Sequence, residues 1–169
     1  IILKRHLDMH GEESERVLHF AWLNSHFQTG LRNLLDAAVL SHVELQRSHG
    51  MEAGYAKVDE IPFDFTRRRM SVVVAEHDEH HLLITKGAVE EILSVCTRVR
   101  HDDAIEPISP ELLARLDAWV AREVPLHHAT LRPGVTDAAL DTFEARQGVT
   151  LPPTLRALYR WHDGGDLFG

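Results

Sequence analysis

Ile61-Pro62-Phe63-Asp64-Phe65-Thr66-Arg67-Arg68-Arg69-Met70-Ser71-Val72-Val73-Val74 and Ile84-Thr85-Lys86-Gly87-Ala88-Val89-Glu90-Glu91-Ile92 are the stretches that decide the reading of this chain. The first sets two aromatic rings and three consecutive cations at the mouth of an apolar, β-branched run. The second ends a strand on Lys86 and turns through Gly87 into a helix. A ring can stack on a base and cations can face phosphates, so together they read as a nucleotide pocket. Each has a plainer account when taken alone. An aromatic in such a run is usually core, a triple arginine is usually a solvated face, and Lys-Gly at a strand end is usually only a turn. Their co-occurrence in order, roughly twenty residues apart, is far more specific than either alone.

Working outward, the pattern is α+β. Glu13 to Gln28 carries Val17, Leu18, Phe20, Ala21, Leu23 and Phe27 at helical spacing, with Ser14 as the cap. Gly30 interrupts, and Leu31, Leu34, Leu35, Ala38 and Val39 predict a second amphipathic helix. Gln46 to Gly54 is polar and reads as a loop. Val72–Ala75 and Leu82–Thr85 flank Glu76-His77-Asp78-Glu79-His80 and predict a hairpin. A helix over Ala88–Val95 follows Gly87, and Ser109-Pro110-Glu111 opens another that runs to about Glu123.

Composition bounds the function. The chain has 169 residues, enough to bury a core, and its formal net charge of −8 opposes binding to nucleic acid or an anionic membrane surface. No apolar run approaches a membrane span, so no membrane insertion is expected. The single cysteine, Cys96, excludes an intrachain disulfide and reads as a buried, inert thiol. Thirteen histidines invite a metal reading. His77, His80 and His81, however, sit in one acidic turn and His127-His128 are merely adjacent, so no metal site is expected.

The two opening stretches, with the segment from Leu18 to Leu40, resemble the nucleotide-binding domain of P-type cation-transporting ATPases, most closely the magnesium-transporting subgroup. The resemblance covers residues 1–123. It implies an antiparallel sheet flanked by helices, working beside a phosphorylation domain on the cytoplasmic face of a membrane transporter. Carried over position by position, Phe63 would stack on adenine and Lys86 would line the pocket. Gly87 would let the base approach, Arg68 would lie near the phosphates, and Asp36 near the adenine amino group. The implied ligand is ATP, with magnesium only as its complex. The family's Asp-Lys-Thr-Gly-Thr signature is placed upstream of Ile2-Leu3, so binding of ATP without turnover is expected of this chain.

Beyond a junction at 124–130 the resemblance stops. The strand expected after the Glu111–Glu123 helix is replaced, and the domain is expected to be truncated at that edge. Leu131-Arg132-Pro133-Gly134 reads as a turn. Thr136 caps a helix over Asp137–Gln147 with Leu140 and Phe143 on its apolar face, and Gly148 stops it. Leu151-Pro152-Pro153 leads into a helix through Leu155, Leu158 and Tyr159 to Trp161, which ends at Gly164-Gly165. Residues 131–169 resemble the opening of a family that includes fungal cell-wall-synthesis regulators and bacterial toxin-immunity proteins. This gives the alternative function, a protein-interaction module. The tail's apolar side chains are expected to pack back onto residues 1–123.

Overall fold

The computed structural model describes residues 1–30, 32–46, 54–76 and 80–165. Most of the 46–54 loop and the tip of the expected hairpin, with His77, lie outside these. The fold is α+β with antiparallel sheets, in two compact units: Ile1–Asp8 with Glu13–Ile92, and Met9–Glu12 with Leu93–Gly169.

In the first unit, helix α1 (Glu15–Phe27) starts at Ser14, whose Oγ accepts from the Val17 N–H. Helix α2 (Leu34–Gln46) follows. Strands β1 (Ala56–Asp64), β2 (Arg69–Ala75) and β3 (His81–Gly87) make an antiparallel sheet in that order. Side chains alternate along a strand, so Met70, Val72 and Val74 share one face of β2, and all three are buried. They pack with Phe27, Tyr55, Leu82 and Ile84, while Leu18, Trp22 and Leu23 of α1 meet Phe27, Tyr55 and Ile84 from the other side. The result is a helix-on-sheet core. Buried Asn24 pins α1 to the sheet by donating from Nδ2 to the Ile84 carbonyl at 2.8 Å.

Strand β1 was not expected from the sequence. Its polar Lys57-Val58-Asp59-Glu60 run and Pro62 argue against a strand, yet an edge position tolerates both. Its register against β2 slips between Lys57 and Asp59 and again between Ile61 and Asp64. The predicted apolar face of α2 also needs correcting. Leu34 and Leu35 are exposed, whereas Ala38 is buried and Val39 packs on the core, because the helix begins only at Leu34 and turns Asp36 inward.

Short helix α3 (Val89–Leu93) runs to the end of the first unit at Ile92, and the second unit opens with the hairpin of β4 (Arg98–His101) and β5 (Ala104–Pro107). Helix α4 (Pro110–Glu123) is capped by Ser109 Oγ, which accepts from Leu112 N–H at 3.2 Å. The turn α5 (Pro125–His128) follows. Leu131–Pro133 is not a turn but strand β6. Helix α6 (Asp137–Gln147) runs from the Thr136 cap to Gly148, whose φ of 67° closes the helix in the left-handed conformation. Helix α7 (Pro153–Trp161) ends where strand β7 (His162–Gly165) begins, so the glycine pair lies in a strand that pairs with β6.

The core of this unit joins Leu93, Val99, Ile108, Leu112 and Leu113 with Ala157 and Leu158 of α7. The tail helix therefore packs on the segment that runs from Leu93 to Leu113, as its apolar content required. Cys96 packs against this cluster, and burial pushes its thiol above the usual value. Arg156 links α7 to α6 by donating to Glu144 at 2.6 Å, Asp141 at 2.7 Å and Asp137 at 3.1 Å.

Phe143, expected on the apolar face of α6, is 48% exposed, whereas Leu158 is 6% exposed. Leu158→Ala should therefore cost about 2–4 kcal/mol in denaturant unfolding, and Phe143→Ala under about 1 kcal/mol. Equal costs would show that α7 is not part of this core.

Candidate functional site

The first turn of α2 builds the floor of the site. Asn33 Oδ1 accepts from the N–H groups of Leu35 (2.8 Å) and Asp36 (2.9 Å), and Asp36 Oδ2 accepts in return from Asn33 N–H at 3.0 Å. This reciprocal cap fixes the Asp36 carboxylate, which is only 3% exposed. Its Oδ1 accepts from Ser25 Oγ of α1 at 2.9 Å and from Lys86 Nζ of β3. Burial pushes the Asp36 carboxyl up, but the hydrogen bonds from Lys86, Asn33 and Ser25 outweigh it and hold it below the usual carboxylate range. Asp36 is a buried anion and Lys86 its counter-ion, with the Lys86 side chain still one-third exposed.

Lys86 pairs in register with Met70, and Ile61 and Asp64 pair with Ser71 and Arg69. Pro62 and Phe63 both lie in the irregular step between those last two pairs, opposite Met70, which puts Phe63 across β2 from Lys86 in a row over three strands. Two strand spacings separate Phe63 and Lys86 along that row, roughly 10 Å of backbone. The Phe63 ring is 50% exposed and meets Phe65 edge-on at 5.1 Å. The core reading of this aromatic run is therefore wrong: its rings face outward.

The turn between β1 and β2 places the three arginines differently. Asp64 Oδ1 accepts from Thr66 N–H (2.8 Å) and Arg67 N–H (3.0 Å), and Arg67 Nε donates to Asp64 Oδ2 at 2.7 Å. Arg69 donates to the Glu91 carbonyl at 3.2 Å. Arg68 adopts a left-handed φ of 46°, and its carbonyl accepts from Ala88 N–H at 3.1 Å. A Cβ on Gly87 would lie 2.6 Å from both the Arg68 carbonyl oxygen and Arg69 Cβ. Gly87 thus lets β3 pass close under the arginine turn, a packing role that the sequence did not indicate.

Four of the five expected residues form a connected chain, Asp36 to Lys86, Gly87 and Arg68, and Phe63 stands on the same three-strand row. The supports were missed. Ser25 gave no signal, whereas the Asn33-x-x-Asp36 spacing was a readable capping pattern. Glu60 was also missed. It accepts from Thr29 N–H (2.9 Å) and Thr29 Oγ1 (2.8 Å) and pairs with Lys57, tying the α1 terminus to β1. A shallow cavity of about 330 Å³, lined by Tyr55, Ala56, Ala75 and Glu76, lies at the opposite end of the β1–β2 ladder from Phe63.

Residues 28–122 match the family described as P-type ATPase, cytoplasmic domain N. The chain belongs to this family. It is 55% identical over 116 residues to the magnesium-transporting ATPase, P-type 1, of Escherichia coli strain K12, a match covering 69% of this chain and 13% of that protein. A magnesium-transporting ATPase, P-type 1, of Salmonella typhimurium strain LT2 is 48% identical over 128 residues, covering 72% of this chain and 14% of that protein. A calcium-transporting ATPase of Bacillus subtilis is 32% identical over 68 residues, covering 40% of this chain and 8% of that protein. The chain therefore spans about one-seventh or less of the lengths of these N-domain relatives. Residues 134–169 match a second family, SMI1 / KNR4 (SUKH-1). No described helix is long and apolar enough to cross a membrane.

Two outcomes follow from the geometry. Gly87→Ala should destabilise the N domain by about 1–3 kcal/mol through backbone overlap, read as a lowered denaturant midpoint. The second concerns pH. Lys57, then the Thr29 donors, hold the Glu60 carboxyl down at about 2, from an ordinary value of 4.5. A depressed folded-state value means that this stabilisation is full above pH 4.5 and lost as pH falls towards 2. Glu60→Gln should flatten the parent's loss of stability across that window, and an unchanged slope would remove Glu60 as its source.

Proposed function

We propose that this N domain binds an adenine nucleotide at the Phe63–Lys86 row, with the base stacked on Phe63. The observation that carries the reading is a half-exposed Phe63 ring on the edge strand β1, across β2 from a lysine held by a buried carboxylate. An aromatic face left in water at such a place is a stacking platform for any base. Lys86 supplies a cation whose position is set by Asp36. Gly87 and Arg68 shape the turn above it, and the Arg68 guanidinium is the candidate partner for phosphate oxygens. Asp36, with Oδ1 taken by Ser25 and Lys86, serves the adenine side of the pocket chiefly by positioning the lysine.

The nucleotide would arrive as its magnesium complex. Transfer of the γ-phosphoryl group needs an aspartate beside magnesium and in line with it, and in this reading a phosphorylation domain supplies both. Magnesium transport, the activity printed in the names of the relatives, and a cytoplasmic position, printed in the family description, extend to this chain as part of the same proposal. A protein-interaction role rests on the match at 134–169 alone.

Calorimetric titration of the chain with Mg-ATP tests the reading. Phe63→Ala should weaken binding by roughly 5- to 150-fold, the equivalent of one base–aromatic stack, while Phe63→Tyr keeps most of the affinity. Equal affinity in Phe63→Ala and the parent would rule out stacking at this ring.

A further inference from the structure

Three polar side chains converge in the second unit, on elements that the nucleotide reading does not use. Asp117 lies on α4, His128 at the end of α5 and His162 at the start of β7. His128 Nε2 is 3.0 Å and His162 Nε2 2.7 Å from the same oxygen, Asp117 Oδ1. One ligand atom from each residue lies within 4.8 Å of the others, and among the described residues this is the one group of three that could hold a metal ion. No local spacing announces it, since Asp117 lies 11 positions from His128 and 45 from His162.

The protons decide what the cluster is for. His162 Nδ1 is 2.8 Å from the Arg132 carbonyl oxygen, which can only accept, so Nδ1 carries a hydrogen. In the neutral ring that leaves a lone pair on Nε2, aimed at a carboxylate oxygen. Two electron-rich atoms at 2.7 Å need a positive centre: either a second ring proton or a cation. A histidine whose Nδ1–H is fixed by a backbone carbonyl, with Nε2 turned to a carboxylate and a second imidazole, has the tautomer and orientation of a metal ligand. Tetrahedral coordination with bonds of about 2.0–2.1 Å puts ligand atoms roughly 3.3 Å apart, so the contacts seen need to widen by only about half an ångström.

We propose that Asp117, His128 and His162 form a site for a divalent ion of the zinc type. Two imidazoles and one carboxylate suit zinc or cobalt, whereas magnesium prefers an all-oxygen shell. The side chains of Asp117 and His128 are about one-third exposed and that of His162 12%, so solvent reaches the fourth position. Such an ion ties α4, α5 and β7 together, which places one ligand inside the N-domain match, one after it and one inside the SUKH-1 match.

Chelator-washed full-length chain titrated with cobalt(II), and separately with zinc in the presence of excess magnesium, tests this. We expect the strong visible bands of tetrahedral cobalt at one equivalent, zinc binding that magnesium does not displace, and a melting temperature raised by roughly 5–10 °C at a hundredfold excess over Kd. His128→Gln and Asp117→Asn, which preserve size and hydrogen bonding, should each weaken binding by at least about 10-fold, while His80→Asn with His81→Asn leaves it unchanged. Three results would overturn the site: no tetrahedral cobalt bands, binding lost with His80 and His81 but kept in the other two variants, or nitrogen NMR showing both His162 ring nitrogens protonated with zinc present.

Discussion

The arrangement around β3 depends on a single constraint, the neutralisation of the Asp36 carboxylate, which has almost no contact with water. A buried charge is tolerated only when it is paired and hydrogen-bonded, and three elements are recruited to meet that need. The segment leading into α2 contributes Asn33, α1 contributes Ser25, and the end of β3 contributes Lys86. The same contacts that satisfy Asp36 stop Lys86 from sweeping through solvent. A lysine ammonium is ordinarily a mobile point charge on a long stem. Here its location is set from below, and the row that it shares with Phe63 becomes a surface of defined chemistry.

Legibility followed the local signals. The helix caps Ser14, Ser109 and Thr136 and the Gly148 stop are short-range hydrogen-bonding devices, and the sequence showed all four where the structure has them. Strand β2 was visible because it is central and apolar. Strand β1 was hidden because an edge strand may be polar and carry a proline, which is also the composition of a loop. Leu131–Pro133 looked like a turn for the same reason: three residues cannot show alternation, and their partner β7 is far along the chain. Leu34 and Leu35 misled because helical spacing does not say where a helix begins. Of the candidate site, the residue types were readable. The contacts of Asp36 with Ser25 and Lys86 are tertiary and were not.

The borders drawn by likeness and by packing do not coincide. The N-domain match runs through α4 to residue 122, whereas α4 shares its core with α7 in the second unit. Family likeness follows ancestry along the chain, and a core follows whatever apolar surface is available. Leu112 and Leu113 need cover, α7 presents Ala157 and Leu158 on one strongly amphipathic face, and burial of that apolar surface is favourable irrespective of its origin.

Strand β1 has a bearing on assembly. Val58, Ile61 and Phe63 put apolar side chains on its exposed surface, and a flat, regular edge that carried them would template the addition of foreign strands. Pro62 has no N–H to offer, and the two register slips break the spacing of the remaining donors and acceptors. What stays available is side-chain surface along an interrupted backbone ladder. Such an edge is a poor template for a second polypeptide, so its apolar side chains can stay open in a crowded compartment with less risk of seeding cross-β aggregates.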